Sequence, residues 1–305
     1  MRLTSSLISR FLLITLGMVI SFSQPAIAES KAPTKYEQVL AFMKDLVAQY
    51  PQNASLFELG VNDAGEKIMG LKVGSGPVKT LVVGTHHGNE YGSTEVTKGF
   101  AASAVARPLK DQTTYIIPVL NIWGYNRGSR YEWANNRNND PNRDYPGPCG
   151  SDGPYNLKST KALADFLEKE KIISTLTLHT NYPVVAYPWG FSTQDRKTAY
   201  EELFIKLAEA AVIETHYPIG NSADTIYPAN GCYEDYTFWQ SGIWSLLFEL
   251  GTTHSPSASQ VEDMIRKNVP GMRLALESMP AERAADHAFK GECDGRALFM
   301  DRRDE

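Results

Sequence analysis

Cysteine is scarce in this chain, with Cys149, Cys232 and Cys293 the only three among 305 residues. Their scattered spacing excludes a cysteine zinc cluster, and a chain of this length can build a core without disulfide staples. The odd count leaves one bridge and one free thiol as the simplest arrangement. Excess positive charge is also missing: 30 Lys and Arg stand against 35 Asp and Glu, a formal net charge of −5. Neither nucleic acid nor an anionic membrane is therefore indicated as a partner. No internal repeat, low-complexity tract or Pro/Ser-rich linker divides the chain, so a single domain is expected. Long apolar runs are absent too, since Phe11 to Phe22 is too short for a comfortable membrane span.

That short run has a different use. Arg2 and Arg10 flank its start and Ala26-Ile-Ala28 follows it as a small-x-small cleavage site, the three-part layout of a secretory signal peptide over residues 1–28. The mature domain is then residues 29–305, with a C-terminal tail from about 280. Cleavage removes two arginines and no acids, leaving 28 basic against 35 acidic residues. The expectation is an exported protein, periplasmic or secreted, with no membrane contact after cleavage and no cysteine at the cut to carry a lipid.

Helical periodicity marks residues 36–49, 156–171 and 199–213, while apolar strand patterns mark 67–73, 80–84, 114–120, 173–178 and 243–250. Ser257-Ala-Ser-Gln-Val-Glu supplies cap chemistry for a last helix running to about Ser278. The alternation predicts an α/β sheet covered by helices on both faces. Polar residues fall at the strand ends. Thr80 to Gly84 runs into His87-x-x-Glu90, a nitrogen and an oxygen donor at metal-ligand spacing; Leu176-Thr-Leu ends at His179, and Ser245-Leu-Leu-Phe ends at Glu249. Open α/β sheets build their sites at carboxyl strand ends, and an idle carboxylate there would cost desolvation energy. Catalytic zinc takes three protein ligands and keeps a fourth position for water. The residues thus point to a zinc hydrolase.

Six ordered blocks extend this reading: Gly84-Thr-His-His-Gly-Asn-Glu90, Pro118-Val-Leu-Asn-Ile-Trp-Gly-Tyr125, Asp140-Pro-Asn-Arg143, Leu178-His-Thr180 with Tyr187-Pro-Trp-Gly190, Ile226-Tyr-Pro-Ala-Asn-Gly231, and Phe248-Glu-Leu250. Through them nearly the whole mature chain resembles the zinc metallocarboxypeptidase family. The resemblance implies a single-domain α/β/α sandwich on a central mixed, twisted sheet. It also implies one Zn2+ per chain on His87, Glu90 and His179, with water in the open position and Glu249 as general base. Arg130 would stabilise the oxyanion, with Arg127 and Arg137 as rivals. Asn142 and Arg143 would grip the substrate's terminal carboxylate, or Arg143 would instead pair with Asp140 or Asp144. Tyr227 would close over the bound end.

Counting from Tyr227 to Glu249 puts Glu234 at the floor of the side-chain pocket, favouring a C-terminal Lys or Arg or the side-chain amine of diaminopimelate; the alternative is an outward Glu234 beside Asp235. Peptides or cell-wall peptides are the implied partners, acted on by a monomer. A murein stem-peptide peptidase or amidase is the nearest alternative. An acylamino-acid hydrolase resembling aspartoacylase and succinylglutamate desuccinylase ranks lower, because only a helical tail follows Glu249. The chain departs from the family with Asn121-Ile-Trp-Gly124 in place of Asn-Pro-Asp-Gly and with Asp144 after the Asn142/Arg143 pair, a carboxylate expected to neutralise Arg143 in part. No long activation segment is expected between signal and domain. Loop placement around the pocket predicts a Cys149–Cys232 bridge, and His86 is expected to support the metal site or face solvent.

Overall fold

A computed structural model describes residues 32–191 and 193–293; the expected signal segment lies outside them. In chain order the elements are α1 (Lys35–Gln49), β1 (Ala54–Val61), β2 (Lys67–Gly74), β3 (Val78–Gly84), α2 (Tyr91–Ala106), β4 (Gln112–Ile117), α3 (Ile122–Arg127), β5 (Glu132–Ala134), β6 (Arg137–Asn139), α4 (Lys158–Lys169), β7 (Ser174–His179), β8 (Val184–Tyr187), α5 (Glu201–Ala211), β9 (Ile219–Asn221), α6 (Ser222–Thr225), α7 (Tyr233–Ser241), β10 (Trp244–Glu249) and α8 (Ala258–Ser278). Capping boxes fix the starts of two helices. The Thr34 hydroxyl accepts from Glu37 N at the head of α1, and Ser257 with Gln260 does the same for α8. The spacing of Val39, Met43 and Leu46 then turns one face of α1 into the core.

Eight strands form one mixed sheet in the order β1-β2-β4-β3-β7-β10-β8-β9, and β5 with β6 makes a separate hairpin. The inner strands β4, β3, β7 and β10 are mutually parallel, while antiparallel pairs lead out to β2 and β1 on one side and to β8 on the other. Every residue of β4 and β7 is buried, as a parallel sheet covered on both faces requires. The expected strand over 114–120 stops at Ile117, because Pro118 has no N–H to continue the ladder.

Close packing rests on specific glycines. At the α5–α8 crossing a Cβ on Gly271 would meet Ala211 O at 1.9 Å. From β3 the chain continues to β4 on one flank and reaches β7 on the other. The crevice beyond the carboxyl ends of β3 and β7 is thus a topological switch point, the position where such sheets bind ligands.

Candidate metal and substrate site

The exit from β3 is held rigidly. Thr85 has φ 62°, a conformation a β-branched residue adopts only when its surroundings impose it. Its hydroxyl donates to Pro118 O at 2.9 Å and lies 2.6 Å from the Thr94 hydroxyl. Gly88 lies so close to the start of α3 that a Cβ would meet Gly124 C at 2.2 Å. These contacts fix the direction of His87, and Glu90 follows at the head of α2. His179 is the last residue of β7 and pairs in register with Glu249, the last of β10.

His87, Glu90 and His179 are all buried, and one ligand atom from each lies within 4.8 Å of the others. Their donor set fits zinc. His87 Nδ1 and His179 Nδ1 face each other at 3.2 Å, with Glu90 Oε1 2.7 Å from the first and Oε2 3.0 Å from the second. Two imidazole nitrogens and a carboxylate aimed at one point match the nitrogen and oxygen preference of a catalytic zinc. Against the upward push of burial, the two histidines hold Glu90 far below the ordinary carboxylate range. Thr180 N also donates to Glu90 Oε2 at 3.1 Å.

A residue that sequence reasoning left without a role completes this centre. Asp140 Oδ1 lies 3.0 Å from His87 Nε2, and its Oδ2 accepts from Arg130 Nε at 3.0 Å. The bond fixes the His87 tautomer: the proton sits on Nε2, leaving the Nδ1 lone pair for a metal. Asp140-Pro-Asn-Arg143 was a visible signal, but only the fold brings Asp140 against His87.

Nineteen residues line one cleft of about 170 Å³, among them the metal group, Arg130, Asn142, Arg143, Tyr227, Glu234 and Glu249. Of the three candidate arginines only Arg130 lines it. Arg127 is exposed over the Trp123 ring, 4.4 Å from its centroid, and the exposed Arg137 donates to Asn139 Oδ1. Arg143 donates to Asn142 O at 2.7 Å and to the Tyr227 hydroxyl at 3.0 Å. The alternative pairing is not formed: Asp140 is taken by Arg130 and His87, and Asp144 turns away. Its carboxylate accepts from Asn156 N at 2.8 Å and Leu157 N at 3.1 Å, just before α4, so it does not neutralise Arg143. Asn142 Oδ1 accepts from Tyr233 N at 2.8 Å, leaving its amide nitrogen for a ligand.

Glu234 is only 2% exposed and points inward rather than out, and its Oε2 has no partner among the described residues. Burial pushes its carboxyl above the ordinary range. The adjacent Asp235 is also buried and accepts from Gly190 N at 2.8 and 2.9 Å. Glu249 Oε2 is likewise unpartnered. Burial and then the Glu90 carboxylate push Glu249 well above the usual range, and a divalent cation on Glu90 would reverse the second contribution.

One expectation is corrected, and one of the two places expected for His86 is settled. The disulfide joins Cys149 to Cys293, and Cys232 is a buried free thiol on the cleft wall. Cys232 Sγ instead accepts from Arg143 Nη1 at 3.4 Å, while the C-terminal tail returns beside Thr193 and its Cys293 bonds Cys149. His86 does not face solvent; it is wholly buried, 3.0 Å from the Tyr145 hydroxyl.

A switch-point cleft holding a His-Glu-His group, an ion-paired arginine beside it and a second, unpaired arginine on its wall defines a zinc-dependent hydrolase. Comparison with known proteins narrows the class. The zinc carboxypeptidase profile matches residues 39–271, and the chain belongs to that family; it is a peptidase whose cofactor is zinc. It is similar to human carboxypeptidase B, 28% identical over 293 residues that cover 80% of this chain and 69% of that protein. Among solved structures it resembles bovine thrombin-activatable fibrinolysis inhibitor in complex with tick carboxypeptidase inhibitor, with a TM-score of 0.71 and 20% identity over 79% of this chain and 96% of that one. It also resembles the murein-tripeptide amidase of Escherichia coli, with a TM-score of 0.53 and 14% identity over 74% and 92%. At such identities the structural likeness shows the fold alone.

Proposed function

We propose that this protein removes single residues from peptide C-termini, with a preference for basic side chains. The observation that carries the reading is Arg143, a guanidinium on the cleft wall with no carboxylate within 4.0 Å among the described residues. An unpaired, sheltered guanidinium calls for an anion, and a peptide's terminal carboxylate matches its fork. Asn142 contributes its amide nitrogen to the same group, and Tyr227 closes over it.

In this reading His87, Glu90 and His179 hold the zinc. When bound, the metal supplies Lewis acidity that polarises the scissile carbonyl and acidifies water. Glu249, on the strand beside His179, takes the proton from the attacking water and delivers it to the leaving amine. Arg130, oriented by Asp140, donates to the oxyanion. Glu234 meets the substrate's last side chain, and its unpartnered Oε2 favours an ammonium or guanidinium. The amine of a diaminopimelate residue in a cell-wall stem peptide fits the same carboxylate, so that substrate is the second reading. We place the protein, after removal of residues 1–28, outside the cytoplasm as a monomer; among the described residues no helix is long and apolar enough to cross a membrane.

Two comparisons test the reading. Amidation of a substrate's C-terminus should abolish hydrolysis. Glu234→Ala should collapse the ratio of basic to aromatic C-terminal preference, and an unchanged ratio would remove Glu234 from substrate selection.

A further inference from the structure

The Cys149–Cys293 disulfide lies at the meeting point of the two segments that wall the substrate pocket. One wall is residues 188–191. Gly190 lines the cleft there, between Trp189 and Phe191. The ring of Phe289, from the C-terminal tail, packs edge-on against both, with centroids 5.9 and 5.6 Å away. The tail then bridges Thr193 through Cys293, and Thr193 Oγ1 donates to Glu292 O at 2.7 Å.

The opposite wall is residues 226–232, which carry Tyr227, Ala229 and Cys232. Asn230 Nδ2 donates to Cys149 O at 2.8 Å, and Gly231 O accepts from Tyr145 N at 3.2 Å. The walls also meet directly, through Ala229 N to Gly190 O at 2.7 Å. Residue 149 therefore holds the Tyr227 wall through its carbonyl while its sulfur is bonded to the tail that covers the Gly190 wall.

We propose that the Cys149–Cys293 bridge and Asn230 are positioning residues for the substrate pocket: the tail, locked by the bridge, sets the spacing between the Tyr227 and Gly190 walls and thereby the affinity for the substrate's terminal residue. The inference rests on the reading of this pocket as the seat of the substrate's C-terminus. A bridge spanning 144 positions also constrains the unfolded chain, so a stability change alone says nothing about positioning. Loosened walls instead weaken the ground state and the transition state alike, which raises KM and leaves kcat in place. His87 and Glu90 lie between β3 and α2, and His179 and Glu249 end β7 and β10, apart from these loops.

The test uses the full mature chain loaded with zinc. Cys293→Ser should raise KM for a Lys-terminated peptide about tenfold with kcat within about twofold, the cost of one or two lost contacts. Treating the folded wild type with tris(2-carboxyethyl)phosphine should do the same without passing through folding. Asn230→Ala, which keeps the disulfide, should move KM in the same direction by a smaller factor. Hydrogen–deuterium exchange over 226–232 should rise in all three. Unchanged KM together with unchanged exchange, or a fall in kcat and zinc content at constant KM, would overturn the proposal. If Arg143→Ala leaves KM untouched, the pocket reading fails instead, and the exchange data still report whether the bridge holds the wall.

Discussion

Arg130 and His87 are joined through one carboxylate: Arg130 Nε and Nη2 lie 3.0 and 2.9 Å from Asp140 Oδ2, and His87 Nε2 lies 3.0 Å from Asp140 Oδ1. Burial alone would raise the Asp140 carboxyl, but Arg130 and then His87 hold it well below its ordinary range. One side chain thereby orients a proposed metal ligand and the proposed oxyanion donor. Asp140→Asn should lower zinc affinity about 10- to 100-fold, the usual cost of removing such a partner, and should reduce kcat as Arg130 is released. Competition against a fluorescent chelator measures the first effect. Unaltered affinity would show that His87 needs no orienting carboxylate.

Arg143 offers a sharper separation of binding from chemistry. Arg143→Lys keeps the charge but loses the fork, and should raise KM for a free-acid peptide about 10- to 100-fold, the worth of one charge-assisted hydrogen bond or slightly more, at nearly constant kcat. Steady-state kinetics on one peptide series decides it, and a loss confined to kcat would contradict the assigned role.

Glu132 predicts a pH dependence of stability away from the metal. Its side chain, at the start of β5, is fully buried, with Oε2 accepting from the Ser159 hydroxyl at 2.6 Å and Oε1 unpartnered among the described residues. Burial, then the nearby Asp63, Glu66 and Asp144 carboxylates, raise its pKa from 4.5 to about 8, against the pull of Ser159. Between those values the folded protein keeps a proton that the unfolded chain has released. Stability contributed by the neutral acid is complete below pH 4.5 and is lost as pH rises to about 8, at about 1.4 kcal/mol per unit within the window. Glu132→Gln should flatten the decline of Tm between pH 6 and pH 8. An equally steep decline would place the titration elsewhere.

Gly271 tests the helix layer. Gly271→Ala drives a methyl into the Ala211 carbonyl and should destabilise the fold by about 1–3 kcal/mol in urea unfolding, as overpacking does. An unshifted midpoint would mean that the α5–α8 crossing adjusts at no cost.

The sequence made legible whatever depends on local pattern. Apolar strands leading to His87, His179 and Glu249 were readable because a buried strand followed by a polar residue breaks its own composition at one point. The α8 cap was readable for the same reason. Helix α7 was not, since Tyr233 to Phe238 are all buried and a helix enclosed on every side shows no amphipathic period. Asp140 and Cys293 escaped because their partners are distant: His87 is 53 residues from Asp140, and Cys149 is 144 from Cys293. Such pairs are decided by the path of the chain over the sheet edge, which no local spacing encodes.

The central claim, that this cleft cuts one residue at a time from a free C-terminus, is tested most directly by mass spectrometry of products from the zinc-loaded mature protein. The substrates are matched peptides ending in Lys, Arg, Phe and Glu and a stem peptide containing diaminopimelate. The account predicts release of single C-terminal residues, Lys and Arg fastest, and no release by Glu249→Gln. Internal cleavage, or full activity in Glu249→Gln, would contradict it.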